Sequence, residues 1–210
     1  MNPRLIIVAG VVAALAFAGL LGGFLARDTG SGSNTGDATA DGVVAHDTGF
    51  AGSQLPAGVT APDFQLHDEY GKTLRMSDLR GKNVAVTFLY SHCQDTCPAT
   101  AQVIRGALDQ LGHDVPVVAV SVDPANDTEA SARAFLSEQR VTGRIRWALG
   151  TRQQLEPVWR AFGTTPQKVQ QAHMARLVLV DRRGRQRVGF AMEQTSPEMI
   201  AHDLRVLEGE

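Results

Sequence analysis

Two apolar runs separated by one helical segment restrict the fold of this chain more than any other feature. Residues 83–90 and 115–122 are near-continuous apolar stretches, as is typical of strands buried on both faces of a sheet. Between them, residues 101–111 carry apolar side chains at helical spacing and are followed by Gly112, a residue type that commonly ends helices. A strand, a helix and a strand in this order predict an α/β protein with a parallel strand pair.

The rest of the chain extends this unit into a sandwich of a sheet and flanking helices. The further predicted elements are a hairpin around 64–76, a helix from Asp127 or Thr128 to about residue 140, a strand over 145–149, a helix over 153–162, a hairpin of strands 176–180 and 186–191, and a last helix opened by Ser196 and Pro197. An alternating first half followed by a hairpin and a helix predicts an α/β sandwich with a central mixed sheet.

The N-terminal residues 1–27 are predicted to anchor the chain in a membrane. Residues 5–26 contain no charged side chain, and as a helix they span about 33 Å, close to the thickness of a hydrocarbon core. After Arg27 the next basic residue is Lys72, so the positive-inside rule favours an exported domain. A cleaved signal peptide is the alternative, because residues 16–18 resemble an A-x-A cleavage site.

A change of composition separates this anchor from the rest of the chain. Residues 28–57 are dominated by Gly, Ser, Thr and Asp and have no amphipathic period. Such a segment cannot bury enough apolar surface to fold, and as a flexible coil it reaches about 30 Å on average. We therefore predict three parts, which are an anchor over 1–27, a tether over 28–57 and a folded domain over 58–210.

Charge and cysteine content exclude several classes of protein. The 210 residues include 20 basic and 22 acidic ones, a net charge of −2, which argues against a general nucleic-acid binder. Two cysteines cannot form a disulfide scaffold, nor an all-cysteine zinc site.

The two cysteines lie four residues apart, directly after the first predicted strand. We predict Pro98 at the first position of the following helix, with Cys97 as its cap and Cys93 in the turn before it. Both sulfurs then lie at the positive end of a helix, where thiolates are favoured. With Cβ atoms about 5–6 Å apart, the pair can close a reversible, redox-active disulfide or hold one soft metal ion. Two apolar core cysteines are the alternative interpretation.

Residues 88–98, FLYSHCQDTCP, closely resemble the C-x-x-x-C-P motif of the Sco/SenC family. The segments APDF at 61–64, SVDPANDT at 121–128 and LGTR at 149–152 match that family in the same order. The resemblance covers about 58–210. It implies a thioredoxin-like fold in a membrane-anchored protein of cytochrome c oxidase assembly, a single-pass protein of the cell membrane with its domain on the extracytoplasmic side.

The resemblance also implies a metal site and a partner. In the family, two cysteines and a distal histidine bind one copper ion, which implies Cys93, Cys97 and His173 as ligands of Cu(I) or Cu(II). It further implies a metallochaperone that delivers this copper to the CuA site in cytochrome c oxidase subunit II. The family usually has Asp before this histidine, whereas this chain has Ala172, so a group that would orient the imidazole is missing.

Several other residues lie near these motifs, and among them only Asp123 has an interpretation within the site. His92 is predicted to point away from the metal although it adjoins Cys93, and Met174 to enter the core from the face opposite His173. Asp123 either supports the site or forms a turn before Pro124. The remaining histidines are assigned to the tether or to surface and cap positions: His46, His67, His113 and His202.

The alternative function is an extracytoplasmic thiol–disulfide oxidoreductase that keeps the copper-site cysteines of the oxidase reduced. Cys93 and Cys97 would be its redox pair, and a thioredoxin-like reductant its partner. Such enzymes usually carry W-C-x-x-C, whereas here His92 precedes the first cysteine and three residues separate the pair. The peroxidase motif P-x-x-x-T-x-x-C is absent, since Val86 and Tyr90 occupy the positions of its proline and threonine.

Overall fold

A six-stranded mixed sheet with helices on both faces forms the centre of the described chain. The computed structural model of the protein describes residues 49–165 and 175–210. Their elements in chain order are β1 (Ser53–Gln54), β2 (Gln65–His67), β3 (Thr73–Arg75), β4 (Val84–Leu89), α1 (Thr96–Leu111), β5 (Val117–Ser121), α2 (Glu129–Glu138), β6 (Ile145–Ala148), α3 (Arg152–Ala161), β7 (Arg176–Val180), β8 (Gln186–Ala191) and α4 (Pro197–Glu208), with 3-10 turns at Ser77–Leu79 and Met192–Gln194. The predicted α/β class is confirmed.

The strand order explains why the sheet is mixed. The order is β1-β8-β7-β4-β5-β6, in which β4, β5 and β6 run parallel, whereas β7 runs antiparallel to β4 and β8 antiparallel to β7. Each parallel pair is joined by a helix, and β7 and β8 by a tight turn, as their connections require. The carboxyl ends of β4 and β5 therefore meet at one end of the sheet, which carries the cysteine turn.

Alternate residues of β4 enter two different cores, as the two-residue period of a strand requires. Ala85 and Leu89 belong to the core shared with α1, α2 and α4. Val86 and Phe88 belong to the core on the other face, where α3 contributes the fully buried Trp159. Both faces of the strand are thus covered, which agrees with its uninterrupted apolar sequence.

The helix boundaries follow local capping. Thr128 caps α2 in a reciprocal capping box with Ser131, and α1 ends at Gly112 in the left-handed conformation (φ 82°), as predicted. Ser196 and Pro197 open α4 as predicted, but the Ser196 side chain makes no cap bond to the backbone. Its hydroxyl interacts instead with the carboxylate of Glu198.

The ordered domain begins before residue 58. Residues 53–54, which were predicted to lie in the tether, pair with β8, and the amides of Ala51 and Gly52 donate to the buried carboxylate of Asp203 at 2.7 and 2.9 Å. Gly52 allows the chain to pass close to β8, because a Cβ atom there would lie 2.6 Å from side-chain carbons of Phe190 and Val188. A composition-based boundary missed this, since two strand residues and two backbone bonds leave little trace in composition.

No helix within residues 49–165 and 175–210 is long and apolar enough to cross a membrane. The predicted anchor over 1–27 and the tether up to residue 48 lie outside the described residues.

Candidate metal centre

Both cysteines lie where the chain turns from β4 into α1. The helix begins at Thr96 with Asp95 as its N-cap, so Cys97 and Pro98 are the second and third helical residues. The predicted positions of Cys97 as cap and Pro98 as first residue were wrong by two. Proline fits here because amides throughout the first turn have no acceptor within the helix, so its missing N–H costs no hydrogen bond.

The sulfur of Cys93 takes the place of a capping oxygen. Asp95 makes no side-chain cap bond, whereas the amide of Cys97 donates to Cys93 Sγ over 3.2 Å, and the amide of Asp95 also donates to this sulfur. Two backbone donors and the positive end of α1 therefore converge on one sulfur atom, an arrangement that favours a thiolate.

The two thiols have opposite acidities. Burial disfavours ionisation of Cys93, but hydrogen bonds from the Cys97 thiol, the two amides and the Tyr90 hydroxyl outweigh it and lower the pKa of Cys93. Burial, together with the hydrogen bond that Cys97 makes to Cys93, raises the pKa of the Cys97 thiol. The site thus combines a thiol of lowered pKa with a thiol of raised pKa that donates a hydrogen bond to it.

Two hydroxyl side chains complete the surroundings of the Cys93 sulfur. The hydroxyl of Tyr90 hydrogen-bonds to it, and this bond, followed by burial, raises the pKa of Tyr90. Thr96 Oγ1 lies 3.6 Å from the same sulfur. Neither residue was predicted in the site, although Tyr90 stands in the motif and Thr96 adjoins Cys97.

Both cysteines are free and buried, but not equally. Cys93 retains 6% of its surface accessible and Cys97 none. They belong to the same core cluster as Ala175 and Leu177, at the start of β7. Only Cys93 therefore borders solvent, and the alternative interpretation as core cysteines does not account for the polar donors around its sulfur.

His173, Met174 and Ala172 lie outside the described residues, so the structure gives no position for the predicted histidine ligand. The pairing of β7 with β4 places Leu177 opposite Thr87, and Thr87 Oγ1 donates to the carbonyl of Arg176 at 3.0 Å. The start of β7 is therefore at the same end of the sheet as the cysteine turn.

The described histidines interact with groups other than the sulfurs. His92 is exposed, with Nδ1 at 3.1 Å from Ser91 Oγ. His67 pairs by backbone bonds with Leu149, His113 lies 2.8 Å from Glu208, and His202 lies 2.9 Å from Asp203. Within residues 49–165 and 175–210, no group of three or more His, Cys, Asp or Glu side chains is arranged to hold a metal ion.

Asp123 forms a turn after β5. Its carbonyl accepts the amides of Asn126 and Asp127 at 3.1 and 2.9 Å, and its carboxylate accepts the Asn126 side-chain amide at 2.8 Å. The turn-forming interpretation of Asp123 is thus confirmed. Its negative charge also helps to raise the pKa values of Tyr90 and Asp127, so it lies within electrostatic reach of both.

Fold and site define a thioredoxin-like α/β protein with a cysteine pair at the N-terminus of its first sheet-flanking helix. The family model described as SCO1/SenC matches residues 53–208, and the chain belongs to the SCO1/SenC family. The family resemblance deduced from the motifs is confirmed.

Curated relatives come from bacteria and mitochondria. SenC of Rhodobacter capsulatus is 32% identical over 118 residues, which cover 55% of this chain and 50% of that protein. The mitochondrial SCO2 homolog of Bos taurus is 29% identical over 111 residues, which cover 50% of this chain and 41% of that protein. The chain thus spans about half the length of these curated relatives.

Solved structures of Sco proteins share the fold. ScoI of Bradyrhizobium japonicum, solved with copper bound, is 28% identical with a TM-score of 0.56, and the match covers 70% of this chain and 99% of that one. Apo Sco1 of Thermus thermophilus is 24% identical with a TM-score of 0.64, covering 75% and 96%. The predicted thioredoxin-like fold is confirmed.

Proposed function

We propose that the chain binds one copper ion through Cys93, Cys97 and His173 and acts as a metallochaperone in cytochrome c oxidase assembly. The observation that carries the proposal is the convergence of backbone and hydroxyl donors on the Cys93 sulfur, four residues from a second sulfur. Family membership and the copper-bound relative from B. japonicum support it.

The donor set suits copper. Soft thiolates select Cu(I), and an imidazole completes a low-coordinate site. Two thiolates with one Cu(I) carry a net charge of −1, which the positive end of α1 stabilises. Ionisation of both thiols is therefore coupled to metal binding, and copper uptake should release the proton held by Cys97.

Chain connectivity supports His173 as the third ligand. Ala175 is buried in the cluster that contains both cysteines, and His173 stands two residues earlier in the sequence. Two residues span at most about 7 Å, so His173 cannot lie far from the point where the chain enters that cluster.

Replacing His173 by Ala is expected to weaken copper binding about 10–100-fold or more, because losing a ligand should cost at least as much as losing a group that orients one. Cu(I) should remain bound to the two thiolates, whereas Cu(II), which favours imidazole nitrogen, should lose more. Competition against a colorimetric chelator in each oxidation state measures both affinities. His202→Ala is the matched control, since His202 lies on α4 beside Asp203. Equal affinities in His173→Ala and the parent chain would remove His173 from the site.

The acceptor of the metal is proposed to be the CuA site in subunit II of cytochrome c oxidase. Family membership supports a role in oxidase assembly. Cys93 keeps 6% of its surface exposed and Cys97 none, so a partner thiol would approach the pair from the side of Cys93. The copper ion is then cargo that passes from one set of thiolates to another.

We further propose that residues 1–27 anchor the protein in the cell membrane, with the domain on the extracytoplasmic side. The uncharged run over 5–26 supports this. Protease added to spheroplasts is expected to remove the domain and leave a small membrane fragment. Protection until lysis would contradict the orientation, and a fully soluble exported product would favour signal cleavage and secretion.

A thiol–disulfide oxidoreductase is the second candidate function, with a thioredoxin-like reductant as its partner. The observation that favours it is the unequal acidity of the pair. Cys93, whose pKa is lowered and which alone of the two borders solvent, can attack a partner disulfide as the thiolate, and Cys97 can then resolve the mixed disulfide. Copper content of the purified chain discriminates the two functions. If the reduced protein binds no copper on reconstitution, the copper function is excluded and the oxidoreductase function remains.

A further inference from the structure

A buried carboxylate joins three elements beneath the cysteine turn. Asp127, the residue before the N-cap of α2, accepts the amide and the hydroxyl of Ser91 at 2.8 and 2.6 Å on one oxygen. Its other oxygen accepts the hydroxyl of Ser121, at the end of β5, at 2.5 Å. Ser131 of α2 adds a contact of 2.9 Å between its hydroxyl oxygen and that of Ser91.

These bonds act on the backbone two residues before Cys93. Ser91 has no strand partner of its own at this point, since β4 ends at Leu89. The next backbone bond of the turn is the one from the Cys93 amide to the Tyr90 carbonyl, at 3.3 Å. The bonds from Ser91 to Asp127, called the clamp below, therefore fix the Tyr90–Ser91 peptide, which carries the Tyr90 side chain and whose carbonyl accepts the Cys93 amide.

We propose that Asp127 is a positioning residue that holds the cysteine turn in the geometry needed for metal binding, acting through Ser91 and without contact to the metal. The inference rests on the proposed copper site, which it extends by one supporting residue. An acceptor that takes three hydrogen bonds from two separate segments fixes those segments relative to each other, and groups that orient ligands commonly control metal affinity.

The structure also indicates why a carboxylate is tolerated there. Burial raises the pKa of Asp127, while the bonds from Ser121 and Ser91 act in the opposite direction and favour the charged form. Removing the side chain would leave the Ser91 amide without its acceptor, whereas an amide oxygen at the same position can still accept it.

The test measures Cu(I) affinity in the full chain by chelator competition for Asp127→Ala, Asp127→Asn and Ser91→Ala. We expect Asp127→Ala to weaken binding about 10–100-fold. Asp127→Asn should keep most of the parent affinity, because the asparagine oxygen can still accept the bonds from Ser91. Ser91→Ala keeps the amide bond and should fall between the two. In the double variant of Asp127→Ala and Ser91→Ala, the losses should be less than additive, since both act through one contact.

A second readout does not depend on metal. Hydrogen exchange of the Cys93 and Cys97 amides, which Asp127 does not contact, is expected to accelerate about tenfold or more in Asp127→Ala and to stay near the parent rate in Asp127→Asn. If the alanine variant does not fold, Asp127→Asn and Ser91→Ala still decide the proposal by the order of their affinities and exchange rates.

Asp181 provides the matched control. It is buried like Asp127 and accepts the amides of Arg183 and Arg185 at 2.9 Å each, but it lies after β7, at the opposite end of the sheet from the cysteines. Asp181→Ala should lower the unfolding temperature and leave Cu(I) affinity and the Cys93 amide unchanged.

The outcomes separate this proposal from the proposed function. A parent chain that binds no copper defeats the copper function, and amide exchange then decides the role of Asp127 alone. Parent-like affinity and exchange in Asp127→Ala would overturn the positioning role. An equal loss of affinity in Asp181→Ala would also overturn it, because the effect would then follow from stability in general.

Discussion

Replacing either cysteine by serine is expected to abolish tight Cu(I) binding. Serine offers a hard oxygen in place of a soft sulfur, and one thiolate cannot hold Cu(I) as two do. The loss should exceed the roughly 100-fold upper value for removing an orienting group. Chelator competition on the reduced full chain measures it for Cys93→Ser and Cys97→Ser.

The two variants should differ in stability, which provides an internal control. Cys93 Sγ accepts the amide of Cys97 at the start of α1, and serine is a favoured residue for that role. Cys93→Ser should therefore remain close to the parent in its free energy of unfolding. Cys97 is fully buried, so serine there exchanges a buried sulfur for a smaller and more strongly hydrated hydroxyl, at a cost of about 1–3 kcal/mol. Retention of Cu(I) affinity within a few-fold in either variant would contradict a dithiolate site.

Much of the fold was predictable because the periodicity of strands and helices depends on residues that are close in the sequence. The strand over 83–90, the end of α1 at Gly112 and the hairpin of β7 and β8 all follow from burial patterns and turn residues. The short strand β1 was not predictable, because its position depends on a long-range bond between Gly52 and the Asp203 carboxylate.

The candidate site also has features that the sequence predicts and features that it does not. The spacing of Cys93 and Cys97 predicted a pair at a helix terminus, and the structure places them there, with the helix starting two residues earlier than expected. Their unequal acidity was not predictable, because it arises from tertiary burial of Cys97 and from the hydrogen bonds that the Cys97 thiol, two backbone amides and the Tyr90 hydroxyl donate to Cys93. The clamp at Asp127 was likewise not predictable, since the two serines that donate to its carboxylate lie after β4 and at the end of β5.

The unequal acidity predicts that the two thiols react at very different rates. The pKa of Cys93 is lowered, so its thiolate should form below the pH at which an ordinary thiol, with a pKa of about 8.5, ionises. The pKa of Cys97 is raised and its sulfur is fully buried, so it should stay protonated and protected over the same range. Because each unit of pKa difference changes the thiolate fraction about tenfold, alkylation of Cys93 should outpace that of Cys97 more than about 100-fold. Mass spectrometry of iodoacetamide-treated full chain, as a function of pH, measures both rates.

Tyr90→Phe tests the origin of this asymmetry. The change removes one donor from the Cys93 thiolate, which should raise the pKa of Cys93 and shift its alkylation to higher pH. The Tyr90 hydroxyl contributes least among the donors that lower this pKa, so the alkylation rate near neutral pH should fall roughly two- to tenfold. The chain's other tyrosine, Tyr70, is exposed and contacts Arg133, so Tyr70→Phe is the matched control and should leave the rate unchanged. A parent-like pH profile in Tyr90→Phe would assign the acidity of Cys93 to the backbone amides and the Cys97 thiol alone. Equal rates for the two cysteines in the parent chain would contradict the asymmetry itself, and with it the order of attack that the oxidoreductase function requires.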